Sequence, residues 1–481
     1  MEISLLIDGV DRDATSSQVF KRYDPVTGNV ATTAAAASVD DALEAVAAAH
    51  KAFPAWSATG PSERRRLLMK AADKLEGMTS EIVPIMIAET GATGPWAGFN
   101  CSLGAGVLRE AAAMTTQISG ETIPANKPGT LAMSVRKPHG VCLGIAPWNA
   151  PVILAARAVA MAIACGNTVV LKASETCPAT HMAIGKALTA AGFPSGVLNV
   201  VTNAPEDADK IVSALISAPE VRHINFTGST EIGRIIAAKA GEHLKPVLLE
   251  LGGKAPMIVL DDADIDAAVN GAAFGAFMNQ GQICMSTERI IVSDAIADAF
   301  VSAFADKANA LPAGNPRDQV VLGSLVSQEA AEKMDALVAD AVQRGAKVVA
   351  GGNRDGTVFD ATLIDGVSKD MRVYVEESFG PVKPIIRVKS DEEAVRIAND
   401  TAYGLAASVY SSNIQRALAV ADKIDSGICH INGPTVADEA QMPFGGVKDS
   451  GYGRFGGKAG IDAFTFVRWL TIEDPKQHFP F

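Results

Sequence analysis

Two residues in this 481-residue chain have the type and setting for covalent chemistry: Cys284 in GQICMSTER and Glu250 in LLELGGKAP. Cys284 lies just past a turn at Gly281 that begins a new element, where a thiol can face a substrate and backbone N–H groups can point at the oxygen of the group it attacks. Glu250 closes an apolar β run and is followed by two glycines, which let another group come close to the backbone. Alone, a cysteine reads as a small buried hydrophobe and a glutamate here reads equally well as a cap for the next turn. Together, a thiol nucleophile and a partly desolvated carboxylate are what acyl chemistry followed by hydrolysis requires.

Two further segments have the shape of a nucleotide site. FTGSTEIG at 226–233 runs from a strand end through Gly228 and Ser229 into a helix, whose exposed N–H groups can cradle a pyrophosphate. VVLKASE at 169–175 places Lys172 and Glu175 at the carboxyl end of a strand, where parallel sheets bind ligands. This pair can hydrogen-bond the two hydroxyls of an adenosine ribose, and the carboxylate repels a 2′-phosphate, favouring NAD over NADP. The only G-x-G-x-x-G match, GYGRFG at 451–456, has no βαβ unit around it and reads as a flexible loop.

The elements that must position these groups follow from the pattern of the chain. SVDDALEAVAAAHKAFPAW carries apolar residues at helical spacing behind a Ser/Asp cap, and another helix follows PSERRR. From Arg136 onward short β runs alternate with helices, which implies βαβ crossovers and a parallel sheet; a second such series starts near Pro246. The extended stretches at 113–135 and 464–474 are strands the core does not need, a liability unless they pair with each other or with another subunit. An oligomer is expected.

Bulk properties narrow the class. The length is roughly three domains of about 150 residues, and 48% hydrophobic with 20% charged residues describes a soluble α/β protein. A net charge of −12 argues against nucleic acid, which needs clustered Lys and Arg. Six cysteines without C-x-x-C spacing, in a chain opening MEISLLIDGV, read as reduced cytosolic thiols, five of them inert. The most apolar segment, 145–165, contains Pro147, Asn149, Pro151 and Arg157 and so reads as a buried helix; no membrane partner and no metal site are expected.

Taken in order, PWNAP at 147–151, VVLKASE, FTGSTEIG, LELGGK at 249–254, GQICMS at 281–286, EESFGPV at 376–382 and PFGGVKDSG at 443–451 resemble the aldehyde dehydrogenase superfamily over essentially the whole chain. The resemblance implies an α/β fold with two Rossmann-type parallel-sheet domains and a small β oligomerisation arm. It implies an NAD-binding domain from 1–116 and 138–250, a catalytic domain from 251–447, and oligomerisation strands at 117–137 and 462–481. It makes Cys284 the nucleophile, Glu250 the base and the Asn149 amide a holder of the oxyanion. It gives the NAD contacts to Trp148, Lys172, Glu175, Gly228, Ser229, Gly233, Leu251, Glu377 and Phe379, and needs no metal.

Within the superfamily GQICMSTER, the run ICHINGPTVADEAQMPFGGVKDSGYGRFGG and the HFPF-like end look most like the bacterial vanillin, salicylaldehyde and benzaldehyde dehydrogenases, so a cytoplasmic homodimer or homotetramer of aromatic catabolism is expected. Ile283 and Met285 then make the pocket beside the thiol apolar. Trp96 reads either as a core tryptophan or as a surface for an aromatic ring. Arg157 reads either as half of a salt bridge or as the partner of a ring hydroxyl or product carboxylate. Aliphatic aldehydes or semialdehydes are the alternative substrates, and a non-catalytic NAD-binding family member is the alternative of another class.

Overall fold

The computed structural model describes all 481 residues and contains two large sheets and three small ones. The first large sheet has a parallel centre in the order 247–250, 221–227, 141–145, 168–172, 198–201. The parallel centre starts at Val141–Ile145 and then gains strands on both sides of it, so a crevice opens at the carboxyl ends where the order reverses. The antiparallel hairpin 5–7 and 10–12 closes one edge, and Gly451–Tyr452 closes the other.

The second large sheet runs 347–350, 362–365, 382–388, 287–293, 255–259, 406–410, 428–431, with only the 347–350 edge antiparallel. Every residue of Pro151–Ala164 is buried, including Arg157, so the most apolar segment is a core helix behind the first sheet. No helix is long and apolar enough to cross a membrane. The expected helix after Val39 is present through Ala58, capped by Ser38: its hydroxyl accepts the Asp41 N–H, and the Asp41 carboxylate accepts the Ser38 N–H at 2.9 Å.

Two readings of the sequence are corrected. GYGRFG is not a flexible loop: Leu249 faces Tyr452 and Glu250 faces Gly451 in an antiparallel pair, so the segment pins the strand that ends in Glu250. Gly451, at φ +101°, brings its Cα so close that a side chain would fall 2.1 Å from the Leu249 carbonyl oxygen. Cys429 is not a core thiol but stands exposed on the edge strand Ile428–Ile431, whereas Cys101, Cys142, Cys165 and Cys177 are buried as expected.

The two extended segments pair with each other: Thr465–Ile472 lies antiparallel to Leu131–Pro138 over eight residues, with Glu121–Ile123 on the far side. This sheet shows solvent Trp469, Val467 and Ile472, with Trp469 77% exposed.

The two large sheets meet end to end. Glu250 is the last residue of its strand, at the carboxyl end of the first sheet, while Cys284 and Glu377 precede the strands 287–293 and 382–388 of the second. The residues singled out as nucleophile and base therefore approach one another from different sheets.

Candidate active site

The loop before Cys284 is unusual in its backbone. Asn279 and Gln280, at φ +48° and +56°, lead into Gly281 at +72°, three left-handed residues in succession. Each non-glycine residue there costs on the order of 1 kcal/mol, so the surroundings must hold the loop. Gln280 donates to the Ser324 carbonyl at 2.8 Å, Asn279 to the Asn149 carbonyl at 3.0 Å, and the Gln282 side-chain oxygen accepts the Val326 N–H at 3.0 Å. A side chain at position 281 would fall 2.3 Å from the Gly380 carbonyl oxygen, so glycine is required there for space as well as for φ.

Asn149 sits in the short connection between Val141–Ile145 and the buried helix. Its carbonyl accepts from Asn279 and from the Trp96 indole N–H at 3.1 Å, which fixes the backbone. Its side-chain amide donates one N–H to the Gln282 carbonyl at 3.0 Å and keeps the other. Trp96 is thus a buried residue that orients Asn149, and its ring also stacks on Phe99 with centroids 5.5 Å apart.

Glu250 is 1% exposed, and neither carboxylate oxygen has a hydrogen-bond partner. Burial pushes its carboxyl up to about 8, against the opposing pull of the Arg157 charge. Burial, and after it the negative charge of Glu250, raises the Cys284 thiol well above its ordinary value. The resting pair is a neutral thiol beside a carboxyl that exchanges its proton near pH 8, and only the deprotonated carboxylate can act as a base.

A cavity of about 440 Å³ opens on Cys284. Ile283 and Met285 are buried beside the thiol, and Trp96, Phe99, Phe274 and Phe444 supply aromatic walls. Arg157 lines it too, bound to Asp438 at 2.7 Å and lying 4.5 Å from the Phe444 ring centroid. The guanidinium is therefore half of a buried ion pair, and Asp438, distant in sequence, carried no signal of it. A larger cavity of about 770 Å³ between loops 25–28 and 353–358 is lined by neither nucleophile nor base.

A second crevice of about 640 Å³ lies at the carboxyl ends of the first sheet, lined by Trp148, Lys172, Glu175 and Gly228. Lys172 and Glu175 bind each other, and Asn203, unmarked in the sequence, donates to the same Glu175 oxygen at 2.8 Å. Ser229 caps helix Thr230–Glu242 by accepting the Ile232 N–H, while Gly228 donates to the Glu250 carbonyl at 3.0 Å. Gly233 lets that helix ride on Leu251, whose methyl would lie 2.4 Å from a side chain there; Leu251 is turned into the core and does not line the crevice. Ile232 and Ile235 stay 45% and 43% exposed on the crevice side, an apolar surface of the kind a flat base covers.

At the other end Glu377 accepts the Gly253 N–H at 2.7 Å, and burial raises its carboxyl to about 7. Phe379 stands edge-on to Trp148 at 5.8 Å. These residues fit a dinucleotide: carboxylates for ribose hydroxyls at both ends, a helix N-terminus between them, and no side chain at Gly228 or Gly252, where a methyl would meet Phe226 or Glu377.

The sequence pattern of the aldehyde dehydrogenase family matches residues 12–470. The chain belongs to the aldehyde dehydrogenase family. It is 58% identical over 479 residues to vanillin dehydrogenase of Pseudomonas sp. (strain HR199 / DSM 7063), covering 99% of each protein. A salicylaldehyde dehydrogenase from Pseudomonas putida G7, solved with salicylaldehyde, superposes with a TM-score of 0.98 at 52% identity over 100% of both chains. Betaine aldehyde dehydrogenase from Staphylococcus aureus, solved with NAD+, gives 0.94 at 31% identity over 99% and 95%. This aldehyde dehydrogenase is accordingly an oxidoreductase that uses NAD or NADP.

Replacing Trp96 by Phe removes one N–H to the Asn149 carbonyl while keeping most of the ring. A neutral hydrogen bond of about 1 kcal/mol corresponds to about a fivefold loss in kcat, with the aldehyde KM within about twofold. Following reduced cofactor at 340 nm measures both; a change in KM alone would reduce Trp96 to a pocket wall.

Proposed function

We propose that the enzyme oxidises an aromatic aldehyde of the vanillin, salicylaldehyde or benzaldehyde type to the carboxylic acid with NAD, in aromatic catabolism. The observation that carries this reading is the apolar, aromatic-walled cavity opening on Cys284, in a chain more than half identical to vanillin and salicylaldehyde dehydrogenases. The Asp438 carboxylate already answers the Arg157 charge, which favours a neutral ring substituent over the distal carboxylate of a semialdehyde.

In this reading the Cys284 thiol gives its proton to the Glu250 carboxylate, which passes it on to solvent, and the sulfur attacks the aldehyde carbon. The second N–H of the Asn149 amide and the Cys284 backbone N–H receive the oxyanion of the thiohemiacetal. Bound NAD would supply the acceptor for the hydride leaving that carbon, and Cys284 keeps the acyl group as a thioester. Glu250 then takes a proton from water, whose oxygen attacks the thioester carbon and releases the acid and the thiol. Lys172, Glu175 and Asn203 hold the adenosine ribose, the Ser229 turn faces the pyrophosphate, and Glu377 takes the nicotinamide ribose. Glu175 also supports NAD over NADP, since a 2′-phosphate beside it meets a like charge.

Six unpaired cysteines support a cytoplasmic setting. The exposed Trp469, Val467 and Ile472 of the small sheet support a homodimer or homotetramer joined through it.

A kcat/KM panel of vanillin, salicylaldehyde, benzaldehyde, hexanal and succinic semialdehyde, run with NAD and NADP, should favour an aromatic aldehyde with NAD. Glu175→Gln should relax the cofactor preference, and the best rate falling on hexanal or the semialdehyde would reverse the substrate assignment. Cys284→Ala should abolish oxidation while still binding cofactor. Glu250 serves as a base only when deprotonated, so hydrolysis of the acyl-enzyme should rise with pH through about 8. Glu250→Gln should accumulate acyl-enzyme and lose that limb; rapid deacylation by this variant would remove Glu250 from the mechanism. Sedimentation at micromolar concentration should give two or four chains per particle, and a single 49.9 kDa species would contradict the assembly.

A further inference from the structure

Directly behind the Glu377 turn lies a charge cluster that takes no part in the steps above. Glu288, whose side chain is 2% exposed, begins a run of charge inside the strand that follows the nucleophile. One of its oxygens accepts Lys254 Nζ at 2.8 Å and the Ser378 N–H at 2.8 Å; the other accepts Lys383 Nζ at 2.8 Å and the Ser378 hydroxyl at 2.6 Å. Burial pushes this carboxyl up, but the two lysines outweigh it and hold it down to about 2. All four acceptor positions are used, in contrast to Glu250, which uses none.

A buried ion cluster is a weak source of stability, since apolar residues of similar volume commonly do as well. What this one does uniquely is geometric. Lys254 ends the glycine turn after the base, Glu288 follows the nucleophile, and Ser378 lies between Glu377 and Phe379. Phe379 holds φ +50°, a conformation costing on the order of 1 kcal/mol that something must enforce. On one side Ser378 is gripped twice by Glu288. On the other, Gly380 packs so tightly that a side chain there would fall 2.3 Å from the Met334 sulfur. Lys333 binds the Glu377 carbonyl at 2.7 Å.

We propose that Glu288 is a positioning residue for the nicotinamide end of the cofactor, locking through Ser378 the turn that presents Glu377 and Phe379. The inference rests on the reading that those two residues face the nicotinamide riboside. It is independent of the assignment of substrate.

The test uses the full-length enzyme and calorimetric titration with NAD and with AMP, which carries only the adenosine end. Glu288→Gln leaves both Lys254 and Lys383 without a counter-charge, and Ser378→Ala removes one bond to the turn while leaving every charge in place, so it serves where the first variant does not fold. Each should weaken NAD, Glu288→Gln by roughly tenfold, the size of an ordinary coupling between two sites, with AMP unchanged within about twofold. Unchanged NAD affinity in the variants overturns the inference. Equal weakening of NAD and AMP also overturns it, because a general loosening of the fold does not distinguish the two ends. Failure of the wild-type enzyme to bind NAD overturns the cofactor reading and the inference with it.

Discussion

Glu250 is a carboxylate enclosed by protein with no hydrogen bond to either oxygen, and most of the surrounding architecture is explained by the need to keep it so. Leaving a polar group buried and unpaired costs on the order of 1–3 kcal/mol, more for a charge. A flexible site would relax toward any donor in reach. The strand ending in Glu250 is denied that freedom: Gly228 takes its carbonyl, Gly451 pairs across from it on the sheet edge, and Leu251 is sunk under Gly233. The glycines at these contacts set distances that no side chain would permit. The raised titration of Glu250 is therefore a property of the sheet edge as much as of the carboxylate itself.

The same need for rigidity accounts for the strain on the facing side. Asn279, Gln280 and Phe379 are left-handed without being glycine, and all three lie in the loops by which the second sheet meets the first. Strain of this kind persists only where surrounding contacts over-determine the backbone. Here these are side-chain bonds that cross between distant segments, such as Gln280 to Ser324 and Asn279 to Asn149. Cys284, Asn149 and the turn that carries Glu377 and Phe379 are each held by such braces.

How much of this the sequence disclosed depends on the range of the interaction. Cys284, Glu250, Asn149 and the Lys172–Glu175 pair were legible because each sits in a short segment whose local form is set by its glycines, prolines and β run. The alternating strands and helices were legible for the same reason. Partners contributed by remote segments were not: Asp438 meets Arg157 across 281 positions, Asn203 meets Glu175 across 28, and Lys383 meets Glu288 across 95. Nothing in an isolated aspartate or lysine announces such a contact. GYGRFG was misread because its pairing partner, Leu249–Glu250, lies some two hundred residues earlier. Cys429 was misread because an edge strand turns alternate residues outward whatever their hydrophobicity.

The cavity at Cys284 has walls that are mainly apolar and aromatic, one internally neutral ion pair, the acidic Glu439, and the buried Glu250 against the thiol. A neutral aldehyde enters such a space by exchanging water for contacts with rings and methyl groups. The acid formed there carries a full negative charge that those walls cannot solvate and that Glu250, once deprotonated, repels. Chemistry thus turns a molecule that suits the chamber into one that does not, and expulsion of the product is already written into the walls that welcomed the substrate.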